Sequence, residues 1–296
     1  MSPAAAAVGR AGAAHDTAHE RAVFPRGALF LVAGPCQLED DALNLRVAEH
    51  VARLGDRVPG GVVFKASFDK ANRSNPGAAR GPGLERGLAA LARVKQETGL
   101  RVLTDVHLPE QCAPVAEVAD VLQIPAFLCR QTDLLEAAGA TGRPVNIKKG
   151  QWMHPEGMRG AVDKVRRACR GCERTSLPAG DTVAVTERGS FFGYGDLVVD
   201  MRAISRMRAA CDAPVIFDAT HSVQQPGRGN EGASGGLREF IPPLAAAAVA
   251  AGADGLFVET HPDPACAPSD GPNMVPLADL DALVARLVRV WEAARA

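Results

Sequence analysis

Leu29-Phe30-Leu31-Val32-Ala33 is a continuous apolar run of strand length, and Gly34-Pro35-Cys36 after it is a tight turn ending in a thiol. Glu39-Asp40-Asp41 then opens an amphipathic stretch over 41–54, with acids where a helix N-terminus favours them. The same alternation repeats along the chain. Val62-Val63-Phe64-Lys65-Ala66 precedes a helix expected over 84–97 and stopped by Gly99. Arg101-Val102-Leu103-Thr104-Asp105 precedes one beginning near Pro109, a favoured first-turn residue. Val121-Leu122-Gln123-Ile124, ended by Pro125, precedes a helix over 131–138. Val145-Asn146-Ile147-Lys148 leads into 156–169, and Thr182-Val183-Ala184-Val185-Thr186 into 197–210. The strand signal at 214–218 is followed by a glycine-rich loop over 222–236 and a helix over 237–251. Gly255-Leu256-Phe257-Val258-Glu259 and a helix over 277–294 complete the series.

Eight strand–helix units in one register imply parallel strands with helical crossovers. Short, continuously apolar strands are expected where both faces are buried. The predicted fold is α/β, a closed (β/α)8 TIM barrel with its site at the strand C-terminal ends. An open doubly wound sheet would favour a G-x-G-x-x-G turn after the first strand, and Gly34-Pro35-Cys36 is not one. Residues 1–25 are expected to form a flexible tail, and 26–296 a single catalytic barrel.

Composition narrows the function classes. The 296 residues are 47% hydrophobic with a formal net charge of −1, enough for a full core and too neutral for bulk nucleic-acid or membrane-surface binding. No apolar run is long enough to span a bilayer, and the Ala- and His-rich stretch 1–20 lacks the apolar segment of a secretory signal. Seven scattered cysteines fit a reducing cytoplasm better than a disulfide framework. Cys169-Arg170-Gly171-Cys172 has no second pair with which to complete a zinc site.

Polar residues gather at the predicted strand ends and just beyond. Lys65, Lys70, Asn72 and Arg73 follow strand two; Asp105 and His107 follow strand three; Gln123 ends strand four, with Arg130 in its loop. Asn146 and Lys148 end strand five, Glu187 and Arg188 follow strand six, Asp218 and His221 strand seven, and Glu259 and His261 strand eight. Cations converging on one mouth call for an anionic ligand, and phosphate is the usual partner of Lys and Arg. Cys36, His221, Glu259 and Asp270 sit at or after strands one, seven and eight, neighbours in a closed barrel. Together they offer a mixed S/N/O donor set suited to one borderline divalent ion: zinc, ferrous iron, manganese or cobalt.

Several of these segments, in order and well spaced, resemble the 3-deoxy-D-manno-octulosonate 8-phosphate synthase family. They are Phe64-Lys65-Ala66-Ser67-Phe68-Asp69-Lys70-Ala71-Asn72-Arg73-Ser74, Thr104-Asp105-Val106-His107, Gln123-Ile124-Pro125-Ala126-Phe127-Leu128, Asn146-Ile147-Lys148-Lys149, Phe217-Asp218-Ala219-Thr220-His221-Ser222 and Glu259-Thr260-His261-Pro262-Asp263-Pro264. The resemblance covers about residues 30–277. It implies a barrel forming a cytoplasmic homotetramer. Its reaction would join phosphoenolpyruvate to D-arabinose 5-phosphate and release phosphate, for lipopolysaccharide biosynthesis.

Carried over by residue, it assigns phosphoenolpyruvate to Lys65, Ser67, Gln123, Lys148 and Arg188, helped by backbone near Pro125 and Ala126. The pentose phosphate falls to Lys70, Asn72, Arg73 and Ser74, with Arg130 reaching in from a neighbouring subunit. The metal falls to Cys36, His221, Glu259 and Asp270, and Cys36 marks the metal-dependent class. Lys70, His221, Asp270 and Cys36 form the expected catalytic set, with His221, Glu259 and metal-bound water all open as general base.

Asn75, where many members have Ser, and the long polar stretch 170–180 depart from the pattern. The nearest rival is 3-deoxy-D-arabino-heptulosonate 7-phosphate synthase, which takes erythrose 4-phosphate. Lys70-Ala71-Asn72-Arg73-Ser74 favours the pentose, because the rival typically carries Lys-Pro-Arg-Thr there. A Schiff-base aldolase using Lys65 or Lys148, and a binding barrel without turnover, are the readings from other classes.

Overall fold

The computed structural model describes residues 22–72, 77–170, 182–192, 195–228 and 235–296. The tail up to residue 21, Arg73, Ser74, Asn75, Cys172 and most of the polar stretch 170–180 lie outside the described residues.

The chain folds as a closed parallel barrel. Its strands are β1 (Phe30–Gly34), β2 (Val62–Lys65), β3 (Arg101–Asp105), β4 (Val121–Ile124), β5 (Val145–Lys148), β6 (Val183–Glu187), β7 (Val215–Asp218) and β8 (Gly255–His261). They are hydrogen-bonded in sequence order, and β8 pairs back onto β1 with Phe30 opposite Gly255 and Gly34 opposite Glu259. The intervening helices are α1 (Asp41–Arg53), α2 (Leu84–Thr98), α3 (Pro109–Val118), α4 (Thr132–Ala140), α5 (Arg159–Cys169), α6 (Arg202–Cys211) and α7 (Ile241–Ala250), and α8 (Leu280–Ala293) closes the ring. Asp40 caps α1 by accepting from the Leu43 N–H at 2.8 Å, as the acidic start predicts.

Side chains alternate across each strand, so every strand serves two cores. One face meets the helices in a large apolar layer that includes Leu31, Phe64, Val102 and Val258. The other fills the barrel: Phe30, Val32, Val63, Leu103, Val121, Ala184, Ile216 and Phe257 form a separate apolar plug. Phe24, within the stretch expected to be tail, is fully buried against Phe30 in this plug. One step of the pleat beyond the plug, the inward positions become Lys65, Asp105, Gln123, Lys148, Thr186, Asp218 and Glu259, all buried. The strands read as uniformly apolar only in their lower halves.

Three helix starts differ from the sequence reading. Leu197-Val198 pairs antiparallel with Ser190-Phe191, so the helix expected from 197 begins at Arg202. The helices expected from 156 and 237 each begin with a 3-10 turn, Pro155–Met158 and Arg238–Phe240. Pro242 and Pro243 occupy the first turn of α7, where their missing N–H groups cost nothing.

Candidate active site

The turn Gly34-Pro35-Cys36 is shaped by close approach. A Cβ on Gly34 would lie 2.1 Å from the Lys65 carbonyl oxygen, so only glycine lets β1 press on the end of β2. That contact sets the Cys36 carbonyl 2.9 Å from Lys65 Nζ, which donates to it. The Cys36 thiol is buried and donates to Asp270 Oδ2 at 3.3 Å. Burial, reinforced by Glu259, pushes this thiol well above the ordinary cysteine range.

Asp270 has a left-handed backbone, φ 54°, unusual for a residue with a side chain. Ser269 Oγ donates to its carboxylate at 2.7 Å and Gln224 Nε2 at 2.6 Å, holding it toward Cys36. His221 opens the 3-10 turn after β7. Its backbone N–H donates to Asp218 Oδ1 at 2.9 Å, and its Nδ1 lies 2.8 Å from Asp218 Oδ2. An ionised carboxylate only accepts, so Asp218 holds the proton on Nδ1 and leaves Nε2 facing Glu259 Oε2 at 3.4 Å.

Ligand atoms of Cys36, Glu259 and Asp270 all lie within 4.8 Å of one another. Glu259 Oε2 is buried and accepts no hydrogen bond. A thiol, two carboxylates and an imidazole nitrogen, with a buried lone pair unsatisfied, fit a divalent metal. The four expected ligands are therefore brought together, His221 joining through its approach to Glu259.

Beside this cluster opens a cavity of about 910 Å³. Lys65, Lys70, Asn72, Gln123, Pro125, Ala126, Lys148 and Arg188 line it, with His221 and Asp270. Ser67 is fully buried behind the wall, where Lys70 Nζ donates to its Oγ at 3.0 Å. Arg130 is exposed and is not among the lining residues.

The cations in the cavity are not bare, which corrects the expectation that only a bound anion balances them. Lys65 Nζ lies 2.7 Å from Glu259 Oε1, and Lys148 Nζ 2.6 Å from Asp218 Oδ2. Arg188 Nη2 donates to Gln224 Oε1 at 2.5 Å, and Gln224 in turn donates to Asp270. Burial would lower the Lys70 pKa, but Cys36, Glu259 and Asp105 around it hold it above the lysine range. Burial lowers Lys148 against the pull of Asp218, and its ammonium sits 3.6 Å over the Phe257 ring. Asp218, placed among the polar strand-end residues, is given no role there, and Gln224 is not among the expected site residues. The signal for Asp218 is its place: it ends a barrel strand, three residues before a ligand-type histidine, where an orienting carboxylate is commonly found.

A sequence model of the DAHP synthetase I family matches residues 25–294. The chain belongs to this family. Among curated relatives, it is 56% identical over 260 residues to the 2-dehydro-3-deoxyphosphooctonate aldolase of Rhodopseudomonas palustris (strain BisB5), covering 88% of this chain and 87% of that protein. It is 54% identical over 276 residues to the protein of the same name in Nitratidesulfovibrio vulgaris (strain DP4), covering 93% and 96%. The Nitrobacter winogradskyi protein of that name is 56% identical over 260 residues, covering 88% and 87%. Family membership and the buried Cys36–Glu259–Asp270 cluster are both compatible with a divalent metal. Among the described residues no helix is long and apolar enough to cross a membrane.

Proposed function

We infer that the protein condenses phosphoenolpyruvate with D-arabinose 5-phosphate and water, giving 3-deoxy-D-manno-octulosonate 8-phosphate and inorganic phosphate. It is a transferase of lipopolysaccharide biosynthesis. The observation that carries this reading is the 54–56% identity to curated 2-dehydro-3-deoxyphosphooctonate aldolases over most of both chains. The cavity supports it, because buried cations line it and a metal-type cluster adjoins it through Asp270.

In this reading Lys65, Ser67, Gln123, Lys148 and Arg188 hold phosphoenolpyruvate, with backbone near Pro125 and Ala126. Lys70, Asn72, Arg73 and Ser74 hold the pentose phosphate. The enol carbon C3 attacks the open-chain aldehyde C1, and the aldehyde oxygen takes up a proton. Positive charge develops at C2, water adds there and gives up a proton, and the hemiketal expels phosphate by C–O cleavage. Much of the residues' contribution is to align two anions that would otherwise repel. A divalent ion held by Cys36, His221, Glu259 and Asp270 would supply Lewis-acid polarisation of the pentose oxygens.

The finer reading is a cytoplasmic homotetramer using zinc, ferrous iron, manganese or cobalt. The barrel from residue 26 onward is its single catalytic domain, and Arg130 of each subunit reaches the pentose phosphate of a neighbour. The exposure of Arg130, off its own cavity, supports that last point.

Phosphate release from phosphoenolpyruvate plus arabinose 5-phosphate tests the reading, with and without chelator and with erythrose 4-phosphate in parallel. Turnover with the pentose, lost to chelator and restored by a divalent ion, is the expected result. Turnover with the tetrose alone would overturn the substrate assignment, and chelator-resistant turnover would overturn the metal. Cys36→Ala should abolish metal binding and nearly all turnover.

A further inference from the structure

The ends of β2 to β6 are joined by a chain of side-chain hydrogen bonds in which the proposed reaction gives no role to Asp105, Asn146 or Thr186. Ser67 Oγ donates to one oxygen of Asp105, and Gln123 Nε2 donates to the other. Asn146 Nδ2 donates to Gln123 Oε1 at 2.8 Å, and Thr186 Oγ1 donates to Asn146 Oδ1 at 2.7 Å. Every member is buried: Asp105 is 7% exposed, Gln123 1%, and Ser67, Asn146 and Thr186 are fully enclosed. All the donations run toward Asp105, from Thr186 on one side and from Lys70 through Ser67 on the other.

Asp105 is an anion in a cavity read as an anion site, which costs binding energy unless it does something there. A primary amide can turn either end toward a neighbour, whereas an ionised carboxylate only accepts. Asp105 is the one anion in the chain of hydrogen bonds; the Lys70 ammonium at the Ser67 end can only donate, so on the Gln123 side it is the carboxylate that dictates the direction. Gln123 must turn Nε2 to Asp105 and Oε1 to Asn146, and Asn146 must turn Oδ1 to Thr186. Gln123 Nε2 carries two hydrogens, and Asp105 takes one. The second belongs to a residue that lines the cavity.

We propose that Asp105 is a positioning residue: it sets the donor direction of this relay and so presents the free N–H of Gln123 to the anionic substrate. The substrate named, phosphoenolpyruvate, rests on the function proposed above; the relay itself does not. In a low-dielectric site, one reversed amide turns an attraction for the anion into a repulsion.

Two variants test it, read by steady-state kinetics in each substrate and by thermal unfolding. Asp105→Asn has one acceptor oxygen only, and with that oxygen turned to the Ser67 hydroxyl its own N–H opposes the N–H of Gln123. It should lower Tm by several degrees and raise the phosphoenolpyruvate KM about tenfold or more, with the arabinose 5-phosphate KM within about threefold of wild type. The double variant Asp105→Asn with Gln123→Glu restores a partner to every member at the same net charge, but removes the free N–H. It should recover Tm while its phosphoenolpyruvate KM stays high. Recovery of both would make Asp105 merely structural and overturn the proposal, as would a single variant with the phosphoenolpyruvate KM within twofold of wild type. If Asp105→Asn does not fold, Asn146→Asp leaves Asp105 in place and turns an acceptor against Gln123 Oε1. The same rise in KM is then expected, and a KM within twofold overturns the proposal. The two readings fail separately. A wild-type enzyme that releases no phosphate from these substrates sinks the function, while the Tm pattern still decides the relay.

Discussion

Lys65 and Glu259, 194 residues apart, meet at 2.7 Å as a buried ion pair, 2% and 1% exposed, bridging the strands on either side of β1. The same ammonium donates to the Cys36 carbonyl at 2.9 Å. A cation expected to hold substrate is therefore also a strut of the metal-type cluster, so the two halves of the site share one side chain.

Removing one partner leaves an uncompensated charge in the barrel interior. Lys65→Met should cost about 3–5 kcal/mol in denaturant unfolding, whereas Lys65→Met with Glu259→Leu should regain most of that stability without regaining turnover. A single variant as stable as wild type would show that the pair is not sealed from water.

Acid should unfold the protein partly through Glu259. Burial alone would raise its pKa, but the charges of Lys65, His221 and Lys70 bring it down from 4.5 to about 2. A carboxylate depressed by folding contributes stability at pH above its unfolded value and loses it as pH falls through the folded one. The loss should therefore run from about pH 4.5 down to about 2. In chelated buffer, Glu259→Gln should flatten the fall of Tm with pH across that window. Parallel curves for variant and wild type would remove Glu259 from the account.

Gly34→Ala puts a methyl group 2.1 Å from a backbone oxygen of β2, an atom that cannot swing aside. The strands must part, at a cost of at least about 1–3 kcal/mol. Cys36 and Lys65 separate with them, so turnover at a temperature where the variant is fully folded should fall well beyond the loss in stability. Native turnover in the folded variant would mean the turn has slack.

Arg130→Ala should raise the KM for arabinose 5-phosphate and leave that for phosphoenolpyruvate unchanged. Assembly should persist by light scattering. If Arg130 serves a neighbouring subunit, mixing Arg130→Ala with Arg73→Ala should restore some activity, because a mixed oligomer contains sites with both arginines. Activity no greater than the sum of the two variants alone would return Arg130 to its own subunit or to the surface.

What could be read along the chain was local. Short continuous apolar runs, helix starts such as Asp40 and stops such as Gly99 are written within a few residues, so eight units could be counted before any contact was known. Leu197-Val198 misled because their antiparallel pairing with Ser190-Phe191 is a tertiary choice that overrides helix pattern. The residue types at the strand ends were equally legible, since the barrel places its chemistry there.

The amino-acid sequence by itself determined the barrel, the polar strand ends and the donor types of Cys36, His221, Glu259 and Asp270, because pattern and residue type are local properties. Tertiary structure alone decided who pairs with whom: Lys148 with Asp218 across 70 residues, and Cys36 with Asp270 across 234. It also showed that the cations arrive already balanced, and that Asp105 commands a row of neutral side chains. Partners of this kind depend on the angle at which each strand stands around the closed sheet and on how far each side chain reaches across it. Neither quantity exists until β8 closes onto β1.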